Sequence, residues 1–258
     1  MGHCIYLLSP AKCSGKRASY LLNPDATFEL ARRLHGGGGI TLGEAFSFMS
    51  GLYFRGKLAY ATRFGDPPAG WGGAMVITPD RGLVAAETVI TAKDLRRMAA
   101  VPVDATDARY RRPLVRTVRE LADALIDGVA TPGHAAGSID AAGGGGSSGG
   151  SSGGDSGGDS GGGTVVLLGS IATGKYLDLL RGPLGDRLRF PAEFVGRGDM
   201  SRGGLMLRCV RQSQRLTYVA LGSVPRHGKR PAKLPPHHSP RKVGRSEGRP
   251  GLGSDAAA

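Results

Sequence analysis

Apolar residues recur along the chain with two different periods, and the alternation of these periods predicts the order of its secondary structure. Short continuous apolar runs, which are typical of buried strands, cover residues 4–9, 74–78 and 164–169. Spacing of three and four residues, which is typical of helices, covers residues 25–34, 42–64, 94–99, 113–127 and 175–181. Strands that alternate with helices predict an α/β fold with a largely parallel sheet flanked by helices.

Local signals place several element boundaries within this pattern. Asn-Pro at 23–24 resembles an N-cap followed by proline at the first helical position. Thr41 and Glu44 have the spacing of a capping box that opens the helical segment 42–64, and the glycines within it predict a break near Gly56. Residues 79–84 read as a turn. The segment 205–221 fits either a hairpin or a helix followed by a strand.

Two segments of biased composition divide the chain. Residues 136–163 are almost entirely Gly, Ser, Ala and Asp, and residues 224–258 are rich in Pro, Arg, Lys and Gly. Neither composition can bury enough apolar surface to order itself, so we expect a disordered linker insertion and a disordered basic tail. The block 164–223, of about 60 residues, would be only marginally stable as a separate domain. We therefore expect residues 1–135 and 164–223 to form a single α/β domain.

Charge and cysteine content narrow the class of protein. The net charge is +13, of which +6 lies on the tail. Such an excess predicts a polyanionic partner, nucleic acid first, although arginine-rich coding alone can also produce it. The three cysteines have neither disulfide nor metal-site spacing, and we expect no metal or other cofactor. Without a secretory pattern or a run of about 20 apolar residues, we expect a cytoplasmic chain without a membrane span. The oligomeric state stays open.

The stretch from Gly169 through Gly174 to Lys175 spells G-x-x-x-x-G-K after a predicted strand. In a nucleotide-hydrolysing P-loop, the next residue is Ser or Thr, whose hydroxyl binds magnesium. Here it is Tyr176, and no later strand ends in an acid that would order the metal. ATP hydrolysis is therefore disfavoured. A looser anion site on backbone N–H groups and a plain strand–turn–helix unit both remain open.

Two groups of cations form the candidate binding site. Lys12 and Lys16 follow the first predicted strand, where open α/β sheets bind ligands. The second group, with Lys175, is suited to phosphate oxygens: Arg197, Arg202 and Arg208. Alternatively, these arginines solubilise a loop. Catalytic residues are unknown, and Asp199 is the only carboxylate candidate.

A further candidate is the aromatic and basic segment 53–64. Arg55 and Lys57 lie between tyrosine and phenylalanine residues, a pattern that fits stacked bases and bound backbone phosphates. Aromatic residues at helical spacing are also typical of a core. Both interpretations stay open for this segment.

Five segments resemble, in order, the peroxide-stress resistance family of the YaaA type. "LLSPAK" (7–12) is similar to the family's opening strand and Ser-Pro-Ala-Lys, and "SRGGLMLRCV" (201–210) is similar to its Lys-Ala-Arg-Gly-Leu-Met-Ala-Arg segment. Residues 52–61, 76–90 and 167–180 resemble three intervening segments. The resemblance implies a cytoplasmic α/β protein of oxidative-stress defence and DNA protection that binds nucleic acid. It also implies that Tyr176 packs inward.

Three functions follow as hypotheses. The first is a nucleic-acid-binding α/β protein, in stress defence or DNA protection, that holds phosphates in a basic cleft. The second is an enzyme that acts on a nucleotide or nucleoside, with Lys175 and Arg202 clamping the phosphate. The third is a scaffold without intrinsic activity. The first two require that cations distant in sequence converge on one cavity.

Overall fold

The structure is a computed structural model that describes residues 2–127, 163–171, 174–225 and 228–232. The predicted linker insertion at 136–163 lies outside the described residues, apart from Gly163. Most of the predicted tail at 224–258 also lies outside them. Of the helices described, none has both the length and the apolar content that a membrane crossing requires.

Eight strands and eight helices make up the regular structure of the described ranges. The strands are β1 (Cys4–Leu8), β2 (Ile40–Thr41), β3 (Ala74–Thr78), β4 (Gly82–Ala85), β5 (Val89–Ile90), β6 (Thr164–Leu168), β7 (Leu188–Pro191) and β8 (Tyr218–Ala220). The helices are α1 (Lys16–Leu22), α2 (Glu29–His35), α3 (Leu42–Ser50), α4 (Leu52–Phe64), α5 (Ala92–Ala99), α6 (Ala108–Asp127), α7 (Leu177–Leu184) and α8 (Asp199–Gln212).

A six-stranded sheet in the order β4-β3-β1-β6-β7-β8 forms the centre of the fold. Its four inner strands are parallel, and β4 and β8 pair antiparallel at the two edges. All five residues of β1 are buried, as expected for a strand covered on both faces. The predicted α/β fold with a largely parallel sheet is confirmed.

The register of β1 sets the position of the site. Leu8, the last residue of β1, lies opposite Val76 of β3 and Leu168 of β6. The three strands therefore end at nearly the same level, and the loops that follow them meet at one edge of the sheet. This is the edge at which parallel α/β sheets bind ligands.

Several boundaries differ from the sequence prediction. The predicted helix 25–34 begins only at Glu29, with Phe28 as its N-cap, so the Asn-Pro signal at 23–24 does not open it. Helix α1 lies in a stretch for which the sequence predicted no helix or strand. The predicted turn 79–84 contains the start of β4, since Gly82–Ala85 pairs with β3.

Other boundaries follow the local signals more closely. The capping box of Thr41 and Glu44 is present, with the Thr41 hydroxyl accepting from the Glu44 N–H at 3.1 Å. Helix α6 begins five residues before Pro113, so this proline lies inside the helix and does not open it as the sequence predicted. Residues 205–221 contain the end of a helix followed by a strand, the second of the two alternatives.

A glycine contact brings helices α4 and α8 together. The break in segment 42–64 falls at Gly51, which has a φ of 66°, and not near the predicted Gly56. Gly56 is helical and faces Gly203 of α8 so closely that a Cβ built on Gly56 would lie 2.6 Å from the Gly203 carbonyl oxygen. Only glycine permits this approach of two backbones.

Candidate functional site

A cavity of about 950 Å³ opens at the carboxyl ends of β1, β3 and β6. Its walls come from the loop 9–14 after β1, the segment 98–104 after α5, and side chains of α4, including Tyr53 and Lys57. The rest of the described lining consists of Met49, Ser50, Pro79, Ser170, Lys175, Tyr176 and Asp199. A cavity of this volume accommodates a ligand of nucleotide size.

Lys57 is the buried charge-bearing residue of this cavity, with 1% of its surface exposed. Its Nζ lies 2.7 Å from the carbonyl oxygen of Ser9 and 2.9 Å from the Ser9 Oγ. It also lies 4.5 Å from the centre of the Tyr53 ring. Burial lowers the pKa of Lys57 from 10.5 to about 7; Asp199 raises this pKa, and Arg202 lowers it further. Lys57 is therefore able to exist as a neutral amine near neutral pH.

The position of Lys57 on α4 explains its burial. Tyr53, Lys57, Tyr60 and Phe64 follow one another at steps of four, three and four residues, and all four are buried. Lys57 thus occupies an apolar position of the helix stripe. Because the neighbouring Gly56 lies against Gly203, no side chain holds the two helices apart at this point.

Arg202 lies behind the cavity wall, 9% exposed. Its guanidinium donates to the carbonyl oxygen of Phe194 at 3.0 and 3.2 Å and to that of Gly169 at 3.4 Å. These contacts fix the loop after β6 against the start of α8. Arg202 therefore acts on the cavity through its charge, which lowers the pKa values of Lys57 and Tyr53, and through the position of Gly169.

Two buried tyrosines complete the wall. Tyr53 is 7% exposed, and its hydroxyl has no hydrogen-bond partner among the described residues. Burial raises the pKa of Tyr53 well above its usual value, so the hydroxyl stays protonated and able to donate. The Tyr176 hydroxyl accepts from the Ser170 N–H at 2.9 Å and donates to the Ser170 carbonyl at 2.7 Å.

These Tyr176 contacts explain why the G-x-x-x-x-G-K stretch does not form a P-loop. In a P-loop the backbone N–H groups of the loop point at phosphate, whereas here the Ser170 N–H bonds a side chain of its own loop. The helix begins at Leu177 and not at the predicted residue 175. A Cβ on Gly169 would lie 2.8 Å from the Tyr176 hydroxyl and 2.9 Å from the Ser9 Cβ, so this glycine is required for packing.

The structure brings together part of the predicted site. Lys12, Lys57, Lys175 and Asp199 line the cavity. Lys57 does so as a buried residue of the helix, as in the core interpretation of segment 53–64. Arg202 and Gly169 lie behind the wall, where the Arg202 guanidinium donates to the Gly169 carbonyl oxygen.

The other predicted residues lie elsewhere. Lys16 is exposed on α1, 5.8 Å from the Tyr20 ring centre, and Arg55 lines a separate cavity on the other side of α4. Arg197 donates to the Glu193 carbonyl at 2.9 Å and does not line the cavity. Gly174 is an exposed turn residue, and Arg208 lies on α8 outside the lining. Of the predicted cations, Lys12, Lys57 and Lys175 therefore line the cavity, and Arg202 lies behind its wall.

Ser9 entered the sequence analysis only as part of the Ser-Pro-Ala-Lys resemblance and was not named as a site residue. Its signal is present, because Ser9 is the first residue after a buried strand, at the edge where ligands bind. Lys57 had a signal as well: a lysine at an apolar position of a helix stripe is buried or functional. Arg202 has the same kind of signal, because it recurs at helical spacing with Met206 and Cys209, and all three residues are buried.

The described lining carries opposite charges in similar numbers. Lys12 and Lys175 are exposed at the cavity mouth, and so are Asp104 and Asp199. Lys175 lies near enough to Asp104 to contribute to lowering the pKa of that carboxyl, after its hydrogen bonds with Thr106. The mouth is consequently not a uniformly basic cleft.

Within the described ranges, His, Cys, Asp and Glu side chains form no group of three able to hold a metal ion. No family model, curated protein or solved structure matches the chain. The resemblance to the peroxide-stress resistance family therefore stays a prediction, and the function is argued from the site alone.

Proposed function

We propose that the chain is an enzyme of the α/β class whose cavity binds a small phosphorylated molecule of nucleotide or nucleoside size. One observation supports this proposal above the others: a cavity at the carboxyl ends of three parallel strands joins two exposed lysines at its mouth to a buried lysine in its wall. The exposed pair, Lys12 and Lys175, suits a phosphate group. The interior, with Lys57 and Tyr53, suits an uncharged part of the ligand.

The charges of the lining favour a compact ligand over a nucleic-acid strand. A phosphodiester backbone requires several cations along one groove, whereas the mouth carries Asp104 and Asp199 beside its two lysines. Lys16, Arg55 and Arg197, which a longer cleft would need, lie outside the lining. Nucleic-acid binding in stress defence stays a prediction, to which the charge of the whole chain and the family resemblance point.

Isothermal titration with purine and pyrimidine mononucleotides tests the proposal. We expect a single site, and a loss of about tenfold in affinity for Lys12→Ala or Lys175→Ala, as for one charged hydrogen bond of about 1.5 kcal/mol. Lys16→Ala is the matched control, because Lys16 is an exposed lysine near Lys12 that does not line the cavity. It should bind as the unaltered chain does.

Titration with single-stranded and duplex oligonucleotides across salt concentrations separates the two partners. A mononucleotide site should depend weakly on salt, and oligonucleotides should bind no tighter than mononucleotides. A steep salt dependence that Lys16→Ala reduces as much as Lys175→Ala would contradict the proposal and favour nucleic acid. Absence of heat with every mononucleotide would also refute it.

A further inference from the structure

We infer that Ser9 and Lys57 form a nucleophile–base pair for acyl transfer, with a small carboxylic ester as substrate. The inference deepens the proposed function and rests on it in one respect: both require that the cavity admits a ligand. The phosphate-binding end of the ligand would lie at Lys12 and Lys175, and the ester at the cavity wall. The groups in that wall therefore indicate the class of reaction, which is acyl transfer.

The geometry of the pair is the first support. The Lys57 Nζ lies 2.9 Å from the Ser9 Oγ, within the range in which a base takes a proton from a hydroxyl. The same Nζ lies 2.7 Å from the Ser9 carbonyl oxygen. That oxygen accepts one N–H of the amine, and this bond fixes the direction of the nitrogen lone pair. Both residues line the cavity, so a ligand reaches the pair from one side.

The surroundings of Lys57 are the second support. Its two hydrogen bonds both go to Ser9, and among the described residues no carboxylate bonds its ammonium form. Asp199, the acid that acts on it, is exposed at the mouth, and Arg202 is a second cation on α8 beside it. A buried amine without an acidic partner and with a cationic neighbour is set to accept a proton.

Tyr53 supplies the third support, independent of the pair. Its hydroxyl is buried near the Arg202 guanidinium, its proton has no acceptor among the described residues, and it belongs to a residue that lines the same cavity. Burying a donor without a partner is costly unless a ligand satisfies it. In acyl transfer, a donor of this kind stabilises the oxygen on which negative charge develops.

The reaction balances with water as its only co-substrate. The Ser9 Oγ forms a bond to the ester carbonyl carbon, its proton passes to the neutral Lys57 Nζ, and the carbonyl oxygen takes the negative charge. The C–O bond to the leaving alcohol then breaks, and Lys57 returns the proton to that oxygen. Water repeats the sequence on the acyl-Ser9 ester, releases the acid and restores the Ser9 hydroxyl.

A fluorophosphonate probe tests the pair directly. Ser9 Oγ would displace fluoride from phosphorus and pass its proton to Lys57, leaving a stable phosphonate ester. Residues 1–12 form one tryptic peptide in which Ser9 is the only serine, so fragmentation mass spectrometry of that peptide locates the label. We expect labelling at Ser9 in the full folded chain and none after denaturation. Absence of label on Ser9 at millimolar probe would overturn the inference.

Matched variants separate chemistry from folding. Ser9→Ala should abolish labelling of the peptide, whereas Ser19→Ala, which alters an exposed serine of α1 outside the lining, should label as before. Lys57→Met should slow labelling of Ser9 by roughly 100- to 10,000-fold, the contribution of a general base. Equal labelling of Lys57→Met and the unaltered chain would refute the role of Lys57. The mapping on the unaltered chain decides the role of Ser9 even if Lys57→Met does not fold.

The two proposals fail separately. The probe carries no nucleotide, so a chain that binds mononucleotides without labelling at Ser9 keeps the proposed function and refutes the acyl-transfer pair. Labelling at Ser9 without mononucleotide binding keeps the pair and refutes the nucleotide ligand. In the second case, hydrolysis of short neutral p-nitrophenyl esters by the chain, lost in Ser9→Ala, should follow.

Discussion

Alanine at two adjacent glycines of α8 tests the close contact that forms the wall of the site. A Cβ on Gly203 would lie 2.8 Å from the Leu52 carbonyl oxygen and 2.9 Å from the Tyr53 Cα, both backbone atoms of α4. A Cβ on Gly204 would meet no heavy atom within 4 Å. Both glycines lie inside α8, so alanine gains the same helix propensity of about 1 kcal/mol at each.

The difference between the two variants therefore isolates the steric cost. Contacts this short with backbone cannot be relieved by rotating a side chain, and overpacking costs about 1–3 kcal/mol. We expect Gly204→Ala to stabilise the chain by up to ~1 kcal/mol, and Gly203→Ala to be less stable than Gly204→Ala by about 1–3 kcal/mol.

Urea unfolding, followed by circular dichroism and by the fluorescence of Trp71, the only tryptophan, measures both free energies. The slope of the transition should be the same in both variants, so that the midpoints can be compared directly. If the two variants unfold within about 0.5 kcal/mol of each other, the α4–α8 contact is not as close as described.

Three further predictions concern stability and reactivity. Because the pKa of Lys57 is lowered to about 7 in the folded chain, the unfolded chain binds more protons above that pH. The free energy of unfolding relative to Lys57→Met should therefore rise between pH 7 and 8.5, by at most ~1.4 kcal/mol per pH unit. A difference that does not change with pH in urea titrations would contradict the burial of Lys57. The cysteines at 4, 13 and 209 are buried thiols, and burial raises their pKa values, that of Cys13 to about 12. Iodoacetamide at pH 8 should therefore modify Cys13 at least ~100-fold more slowly in the folded chain than in the unfolded chain, which peptide mapping would measure. Thr41→Ala removes the capping bond to Glu44 and should cost ~1 kcal/mol in urea unfolding, whereas an unchanged stability would mean that the cap adds nothing to α3.

The strands and the long helices could be predicted because their signals are local. The apolar runs at 4–9, 74–78 and 164–169 correspond to β1, β3 and β6, and the capping box opens α3 as its spacing indicates. Gly51 and Gly56 look alike in the sequence, yet only Gly51 breaks the segment. Gly56 remains helical because Gly203 packs on it. That contact joins residues far apart in the chain, so no local signal reports it.

The position of the site could be predicted from the sequence, but the set of residues that line it could not. The rule that ligands bind beyond the carboxyl ends of parallel strands singled out Lys12, which lines the cavity, and Lys16, which does not, whereas Lys175 came from the G-x-x-x-x-G-K stretch. It could not tell which face of α8 meets α4, and so Arg197 and Arg208 were grouped with Arg202. Burial of Arg202, Met206 and Cys209 shows that the apolar spacing of α8 contained this information, had its arginine been treated as a core position.

The glycine contact and the buried lysine belong to one arrangement. Gly56 and Gly203 bring the backbones of α4 and α8 together, and the residues beside them in sequence, Lys57 and Arg202, are both buried as a result. The guanidinium of Arg202 is held by the carbonyl oxygens of Phe194 and Gly169, whereas Lys57 bonds only to Ser9. Lys57 therefore has fewer acceptors than Arg202, and an ammonium group loses its proton more readily than a guanidinium group. Of these two neighbouring buried cations, Lys57 is the one that becomes neutral. The same contact that orders the wall therefore buries, beside the Ser9 hydroxyl, an amine that is able to lose its proton near neutral pH. Separating the helices by one methyl group should return the pKa of Lys57 toward its usual value.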